Sequence, residues 1–368
     1  MLLVLGMSSI TLSTTAKGDS NKEQLYTDGP YLMFEAKNTL RSISVSEKLE
    51  IIDTLVELSK QEPYVFPVFS DNGEYLFDVP LRSKTVRDPY VIKPSKRIFI
   101  TSDPHGDWTS FSDLLIRNGI VKPDYSWSYG KNQLIVIGDV FDRGRGVMPI
   151  FWLLYKLEAE AEEVGGKVIF VLGNHEPMVT GGDLRYVKDS YLNLAKLVDM
   201  PYEQLVGKNT VLGEWLAHKN TMQLVGDNLI VHAGISRDML ERCYTIPQVN
   251  ELISEGLFYK NSTRRKESIH LDFLYGNKGP IWYRGMVSDK EKYFPIDPTD
   301  VKQILHYFKA KRIIVGHTIF PEISTFFNKK VVAVNVNNKK NREEHRSRAV
   351  IVEKRKIYIV KDKGIFPL

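Results

Sequence analysis

The sequence is poor in the features that would settle its chemistry at once. One cysteine in 368 residues, Cys243, excludes an intrachain disulfide and a cysteine-rich zinc site, so any metal must be held by His, Asp, Glu or Asn. No apolar run approaches the length of a membrane-spanning helix. Neither sign of charge dominates: 50 Lys and Arg against 45 Asp and Glu leave +5 on a long chain, which argues against a nucleic-acid partner. Familiar catalytic patterns are missing too. No G-x-S-x-G or G-x-G-x-x-G occurs, and Gly165-Gly166-Lys167 precedes a strand-like run, whereas a phosphate-binding loop follows one.

What is present is a globular composition, 43% hydrophobic and 11% aromatic, enough for one large domain with an appendage or for two domains. The start, MLLVLGMSSITLSTTAKGDS, resembles the end of a secretory signal without its basic region. Read as a leader over residues 1–22, it places the protein in the periplasm or outside the cell; read as a frayed terminus, it leaves the protein cytoplasmic. Residues 23–96 read as a small α+β appendage. In it, Val45, Leu49, Ile52, Leu55 and Val56 have helical spacing behind a Ser44/Glu47 capping pair, and two aromatic-rich runs around Asn72-Gly73 form a hairpin pattern.

From Arg97 the pattern changes to short β-branched runs alternating with amphipathic stretches, an α/β architecture that extends to residue 368. Strand-like runs are RIFITSD, QLIVIGD, KVIFVLGN, NLIVHAG and RIIVGHT. Helical patterns include DWTSFSDLLIRNG, MPIFWLLYKLEAEAEEVGG with Ile150, Leu153, Leu154, Leu157, Ala161 and Val164 on one side, and DPTDVKQILHYFKAK behind Asp297 and Pro298. An excursion at about 177–225, rich in helical spacing and aromatics, exceeds what one crossover needs and reads as a cap over the site. The basic stretch Asn338 to Arg348 reads as a solvated hairpin loop.

Five of the strand-like runs end in the same kind of text: Asp103 and His105; Asp139, Asp142 and Arg143; Asn174 and His175; His232; and His317. At the carboxyl ends of α/β strands side chains face the ligand crevice, and adjacent glycines let the loops approach it closely. Taken singly each has an ordinary explanation: His232 as a core histidine, Asp142-Arg143 as a surface ion pair, Gly316-His317-Thr318 as a turn. Five in this order, each closing a strand, call for a common cause. The donor set of carboxylates, imidazoles and a carboxamide suits first-row divalent ions, and a shared carboxylate can hold two of them about 3.5–4 Å apart for in-line displacement at phosphorus.

The ordered set GDVFDRG, GNHE, SDPHGD, HAGIS and VGHT resembles the calcineurin-like metallophosphoesterases, in their phosphoprotein phosphatase branch, and most of all bacterial and Shewanella-like serine/threonine/tyrosine phosphatases. The resemblance runs from about Arg97 to Phe320 and leaves the N-terminal appendage outside. It implies a β-sandwich flanked by helices with the helical cap inserted. It also implies two divalent ions, manganese first with iron or zinc as alternatives: Asp103 and His105 on one, Asn174, His232 and His317 on the other, and Asp139 bridging. A bridging hydroxide would attack phosphorus, His175 oriented by Asp142 would protonate the leaving oxygen, and Arg143 and Arg284 would bind phosphoryl oxygens. Asn174 would also face the substrate, and Arg185 is the cap cation with the best position to do so. Ser102 and Ala233 replace glycines common in the family, and Ile319 stands where other branches carry a second histidine, leaving the first metal with fewer protein ligands. The expected activity is metal-dependent hydrolysis of phosphomonoesters on proteins or small molecules. Hydrolysis of symmetrical dinucleoside polyphosphates is the alternative enzyme reading, and a non-catalytic metal-binding module of the cell envelope is the alternative outside enzymes.

Overall fold

The computed structural model describes residues 25–368, so the leader expected over 1–22 lies outside the described residues. The first strands are β1 (Asp28–Ala36), β2 (Thr39–Val45) and β3 (Ile51–Glu57), one antiparallel sheet in that order, followed by a hairpin of β4 (Val65–Phe69) and β5 (Tyr75–Pro80). The hairpin turns where the sequence places it, with Gly73 at φ +86. The helix expected after Ser44 does not form. Ser46 instead accepts amides from Lys48 and Glu50, Leu49 turns into the left-handed region at φ 60, and the chain returns as β3. A bidentate Arg41–Asp53 pair at 2.9 and 2.7 Å ties β3 to β2. Of the supposed helical face, Ile52 and Leu55 are 44% and 69% exposed. The segment Ile51–Glu57 is rich in β-branched residues, and cross-strand pairing outweighs a helical spacing that no partner surface rewards.

The remaining strands are β6 (Val91–Ile92), β7 (Arg97–Ser102), β8 (Gln133–Ile137), β9 (Lys167–Val171), β10 (Met222–Val225), β11 (Asn228–Val231), β12 (Arg312–Val315), β13 (Ser324–Phe326), β14 (Val331–Ala333), β15 (Ser347–Glu353), β16 (Lys356–Lys361) and β17 (Gly364–Pro367). They build two six-stranded sheets, ordered β17-β16-β15-β7-β8-β9 and β13-β14-β12-β11-β10-β6. Alternation along the strands sorts their side chains. Ile98, Ile100, Ile135, Ile137 and Ile169 join Val225, Ile230, Ile314 and Val332 in an aliphatic layer between the sheets. Phe99, Leu134, Val136, Val168 and Phe170 face the other way, into a core shared with the helices Trp108–Arg117 and Val147–Glu163. Burial on both faces is why these strands read as unbroken apolar runs.

Helix Val147–Glu163 is buried almost all round, which the expected one-sided pattern understates. Its outer face is covered by the N-terminal strands: Trp152 Nε1 donates to the Pro30 carbonyl at 3.0 Å, and Phe66 meets the Trp152 ring at 4.8 Å. Residues 25–96 are therefore all β and part of the main core, where an α+β appendage was expected, and β6 adds an edge strand to the second sheet. The excursion after β9 is helical as expected (His175–Thr180, Asp189–Leu197, Tyr202–Leu205, Val211–Ala217) but ends before β10, so 222–225 belongs to a sheet. Asp297 caps helix Pro298–Tyr307, accepting the amides of Thr299 and Asp300 at 2.7 and 2.9 Å. The basic stretch is not a hairpin loop: Asn338–Glu343 forms a short helix, and Arg348 is buried, its guanidinium held by Asp113 at 2.8 Å and by the Ser110 carbonyl at 2.8 Å. Two carboxylates, those of Asp113 and Asp362, offset the cost of burying that charge.

Candidate metal centre

Strands β7, β8 and β9 run parallel with Ser102, Ile137 and Val171 in register, and β11 runs parallel to β12. Their carboxyl ends open into one cleft of about 730 Å³ whose walls include Asp103, His105, Asp139, Asn174, His175 and His317. The turns are tight. Asp103, His105, Asp139, Asp142, Arg143 and His317 all adopt positive φ, between 43° and 74°, a region non-glycine residues seldom occupy. Such strain persists where surrounding bonds over-determine it, and here those bonds hold residues singled out by their motifs. Gly138, at φ +65, could not carry a side chain: a Cβ there would lie 2.4 Å from the Gly173 nitrogen. The loops after β8 and β9 touch backbone to backbone.

Donor atoms gather around Asp139. Its Oδ2 lies 3.1 Å from His232 Nε2 and 3.9 Å from both His105 Nε2 and His175 Nε2. Two sets of donors, each within 4.8 Å of one another, share Asp139: His105 with His175, and His232 with His317. Asn174 Oδ1 approaches His232 Nε2 to 3.0 Å, and His317 Nδ1 approaches it to 3.2 Å. Asp103 lies outside both sets; its carboxylate accepts the His317 amide at 3.1 and 3.2 Å.

Hydrogen bonding fixes the tautomers. His232 Nδ1 lies 3.0 Å from the Ile137 carbonyl and His105 Nδ1 2.9 Å from that of Phe141, so each must donate there. Neutral rings then present a bare Nε2 to the centre, the arrangement by which a metal-binding imidazole is oriented. In a neutral His232 that lone pair faces two further acceptors, the Asn174 oxygen and an Asp139 oxygen, with His317 Nδ1 beside them. A cation resolves the conflict. Without one, a proton must: burial opposes charge on His232, yet Asp139 and Asp103 more than offset it and hold the ring up at about 9. Burial pushes the Asp103 carboxyl up to about 7 and His105 down to about 4. Burial also resists ionisation of Asp139, but the imidazoles of His232 and His175 hold it well below the usual carboxylate range. His317 Nε2 is buried with no hydrogen-bond partner among the described residues. An oxygen and nitrogen donor set of this kind fits divalent first-row ions, and Asp139 is common to both groups of donors.

His175 differs from the other imidazoles. Its Nδ1 is hydrogen-bonded to Asp142 Oδ2; burial works against its charge, but Asp139 and Asp142 raise it above the ordinary imidazole value. Arg143 and Arg284 both line the cleft, the Arg143 amide donating to the Tyr186 carbonyl at 3.1 Å and the Arg284 guanidinium to Thr318 Oγ1 at 3.0 Å. Arg185 is not brought in: its guanidinium is spent on Asp183, with both bonds at 2.7 Å, and it is absent from the cleft wall.

Two residues passed over by the motif reading have clear places. Glu176 is fully buried and accepts three backbone amides, Gly173 at 2.7 Å, Asp139 at 3.1 Å and Val140 at 2.9 Å, knitting the loops after β8 and β9 together. Its position in GNHE was the available signal. Tyr186, 47% exposed in the cleft wall, sets its ring 5.6 Å from that of His175. Nothing in the sequence distinguishes it from other aromatics of the excursion.

Residues 96–321 match the family model for calcineurin-like phosphoesterase. An uncharacterised protein of Schizosaccharomyces pombe is 32% identical over 264 residues, covering 69% of this chain and 72% of that protein. Shewanella-like protein phosphatase 2 of Arabidopsis thaliana is 24% identical over 319 residues, covering 75% and 79%. Among solved structures, the cold-active protein-tyrosine phosphatase of a psychrophilic Shewanella species superposes with a TM-score of 0.83 at 29% identity, covering 93% of this chain and 99% of that one. Coverage that high leaves too little chain unaligned for residues 23–96 to stand outside the likeness, as the motifs alone had suggested.

Proposed function

The chain belongs to the calcineurin-like phosphoesterase family, a family of hydrolases, and from that premise we propose that it removes phosphate from phosphorylated side chains of proteins. The observation that carries this reading is the centre built around Asp139, in which an imidazole nitrogen, a carboxamide oxygen and a carboxylate meet so closely that a cation or a proton must lie among them. Asp103 and His105 would hold one divalent ion, Asn174, His232 and His317 a second, and Asp139 both, with manganese the first choice and iron or zinc the alternatives. When bound, such ions supply Lewis-acid stabilisation of phosphoryl charge and a nucleophile drawn from water at neutral pH.

The chain's own groups do the rest. His175, its Nδ1 held by Asp142, offers the proton on Nε2 to the leaving oxygen as the P–O bond breaks. Arg143 and Arg284, both in the cleft wall, bind phosphoryl oxygens, a task for which a planar guanidinium is suited. Tyr186 places an aromatic face beside His175, where the leaving group would depart. That placement, with the likeness to a protein-tyrosine phosphatase, supports phosphotyrosine as a substrate beside phosphoserine and phosphothreonine.

The test is turnover by purified protein, stripped with chelator and reloaded with manganese, iron or zinc, on p-nitrophenyl phosphate, on phosphopeptides of each type and on symmetrical dinucleoside polyphosphates. Metal-dependent release of phosphate from phosphopeptides is expected. Efficient cleavage of the dinucleoside polyphosphates with phosphopeptides left intact would overturn the protein substrate, and inertness toward every ester under all three metals would overturn the enzyme.

A further inference from the structure

The cleft does not end at the metal centre. A second cavity of about 650 Å³ shares Asp107, Thr109, Ser110 and Lys339 with it, so the two form one groove along the start of helix Trp108–Arg117. The joint is the basic stretch after β14: Asn338 and Lys339 wall the metal cleft, and Arg342 and His345 wall the second cavity. A groove this long exceeds what a phosphate monoester fills.

Its charges are unevenly spent. Asp107 caps helix Trp108–Arg117 through the Ser110 amide at 3.1 Å, and Asp362 is engaged by Arg348 at 3.3 Å and His345 at 3.4 Å. Arg117 is tied to Asp113 at 2.6 Å, while Arg342 reaches the same carboxylate only at 3.6 Å. Among the described residues, the exposed Lys339 and Lys363 have no ion-pair partner for their ammonium groups, and Lys188 on the metal-cleft wall has none either. Among the described residues, Glu343 in the second cavity and Asp71 on the metal-cleft wall are carboxylates without an ion pair. The unspent balance is positive.

We propose that this groove is a docking channel for polypeptide substrates, and that Lys339, Lys363 and Arg342 select acidic residues on one side of the phosphorylated side chain. The inference rests on the protein phosphatase reading above and adds the sequence context of the substrate. Exposed charge pairs are individually weak, each worth about two- to fivefold in affinity at most, so two or three together give roughly tenfold at low ionic strength. Because they are exposed, salt should erode the preference.

The experiment compares kcat/KM for synthetic phosphopeptides with one neutral core, either unmodified or extended by three Glu residues before or after the phosphorylated position. Each is measured in the wild type and in the variant Lys339→Glu/Lys363→Glu, at low and high salt, and normalised to each protein's own rate on p-nitrophenyl phosphate. The expected result is about a tenfold advantage for one of the two acidic extensions, falling steeply with salt and lost or reversed in the variant. Equal kcat/KM for all three peptides, or an acidic preference that the variant keeps, would overturn the channel while leaving the protein phosphatase reading intact. Failure to cleave any phosphopeptide while p-nitrophenyl phosphate is hydrolysed would overturn the protein phosphatase reading and the channel with it.

Discussion

His175 and His105 stand equally far from the shared carboxylate, 3.9 Å each, yet only His105 is proposed as a ligand. The variant His175→Asn separates the roles. Alanine would be a poorer probe, because Asp142 is 2% exposed and already has Oδ1 without a partner; removing the imidazole outright would orphan Oδ2 as well, at about 1–3 kcal/mol. An asparagine amide can still reach toward it. If His175 only gives a proton to the leaving oxygen, the variant should fold, keep two ions by elemental analysis, and lose about 10²–10⁴-fold in kcat/KM on phosphoserine peptides. That range corresponds to about 2.7–5.5 kcal/mol of barrier. On p-nitrophenyl phosphate, whose leaving group departs as a weakly basic anion, the loss should be clearly smaller. Equal losses on both esters, or a protein that no longer holds two ions, would refute the acid and make His175 a ligand.

Other outcomes follow from the same geometry. Arg143→Lys keeps the charge but loses the fork, and should lower kcat/KM by about 1–3 kcal/mol; near-normal kinetics would reduce Arg143 to a structural role. Asp139→Asn should lose metal and activity together, because one carboxylate is asked to touch both ions; tight retention of two ions, measured by elemental analysis, would contradict the bridge. In the metal-free protein His232 holds its proton up to about 9, whereas an unfolded histidine releases it near 6.5. Its stabilisation is therefore complete below about 6.5 and lost as pH rises toward about 9. Denaturant titrations of the chelated protein should show stability falling across that window, and loading with metal should release a proton and abolish the slope; a flat profile without metal would show that His232 carries no raised affinity for charge.

Much of this was legible in the sequence. Asp103, His105, Asp139, Asn174, His232 and His317 each follow a run of apolar, β-branched residues, and a strand buried on both faces leaves its polar groups nowhere to go but its end. The chemistry of the donors then follows from residue type alone, as do the cap at Asp297 and the turn at Asn72-Gly73, where local bonds decide the conformation. Tertiary structure alone decided what depends on a partner surface. Residues 51–57 carry apolar spacing compatible with helix or strand, and pairing with β2 through Arg41 and Asp53 chose the strand. The all-round burial of helix Val147–Glu163 required a cover, and only the fold shows that the N-terminal strands supply it. Arg185 and Arg348 look alike as surface cations in sequence, but one is spent on its neighbour Asp183 in the open and the other is buried between Asp113 and Asp362. Periodicity and motif can assign donors to strand ends, but the atoms that meet at Asp139 come from loops spread between residues 105 and 317, and which nitrogen faces which oxygen is set by backbone carbonyls at Ile137 and Phe141 that no side-chain pattern encodes.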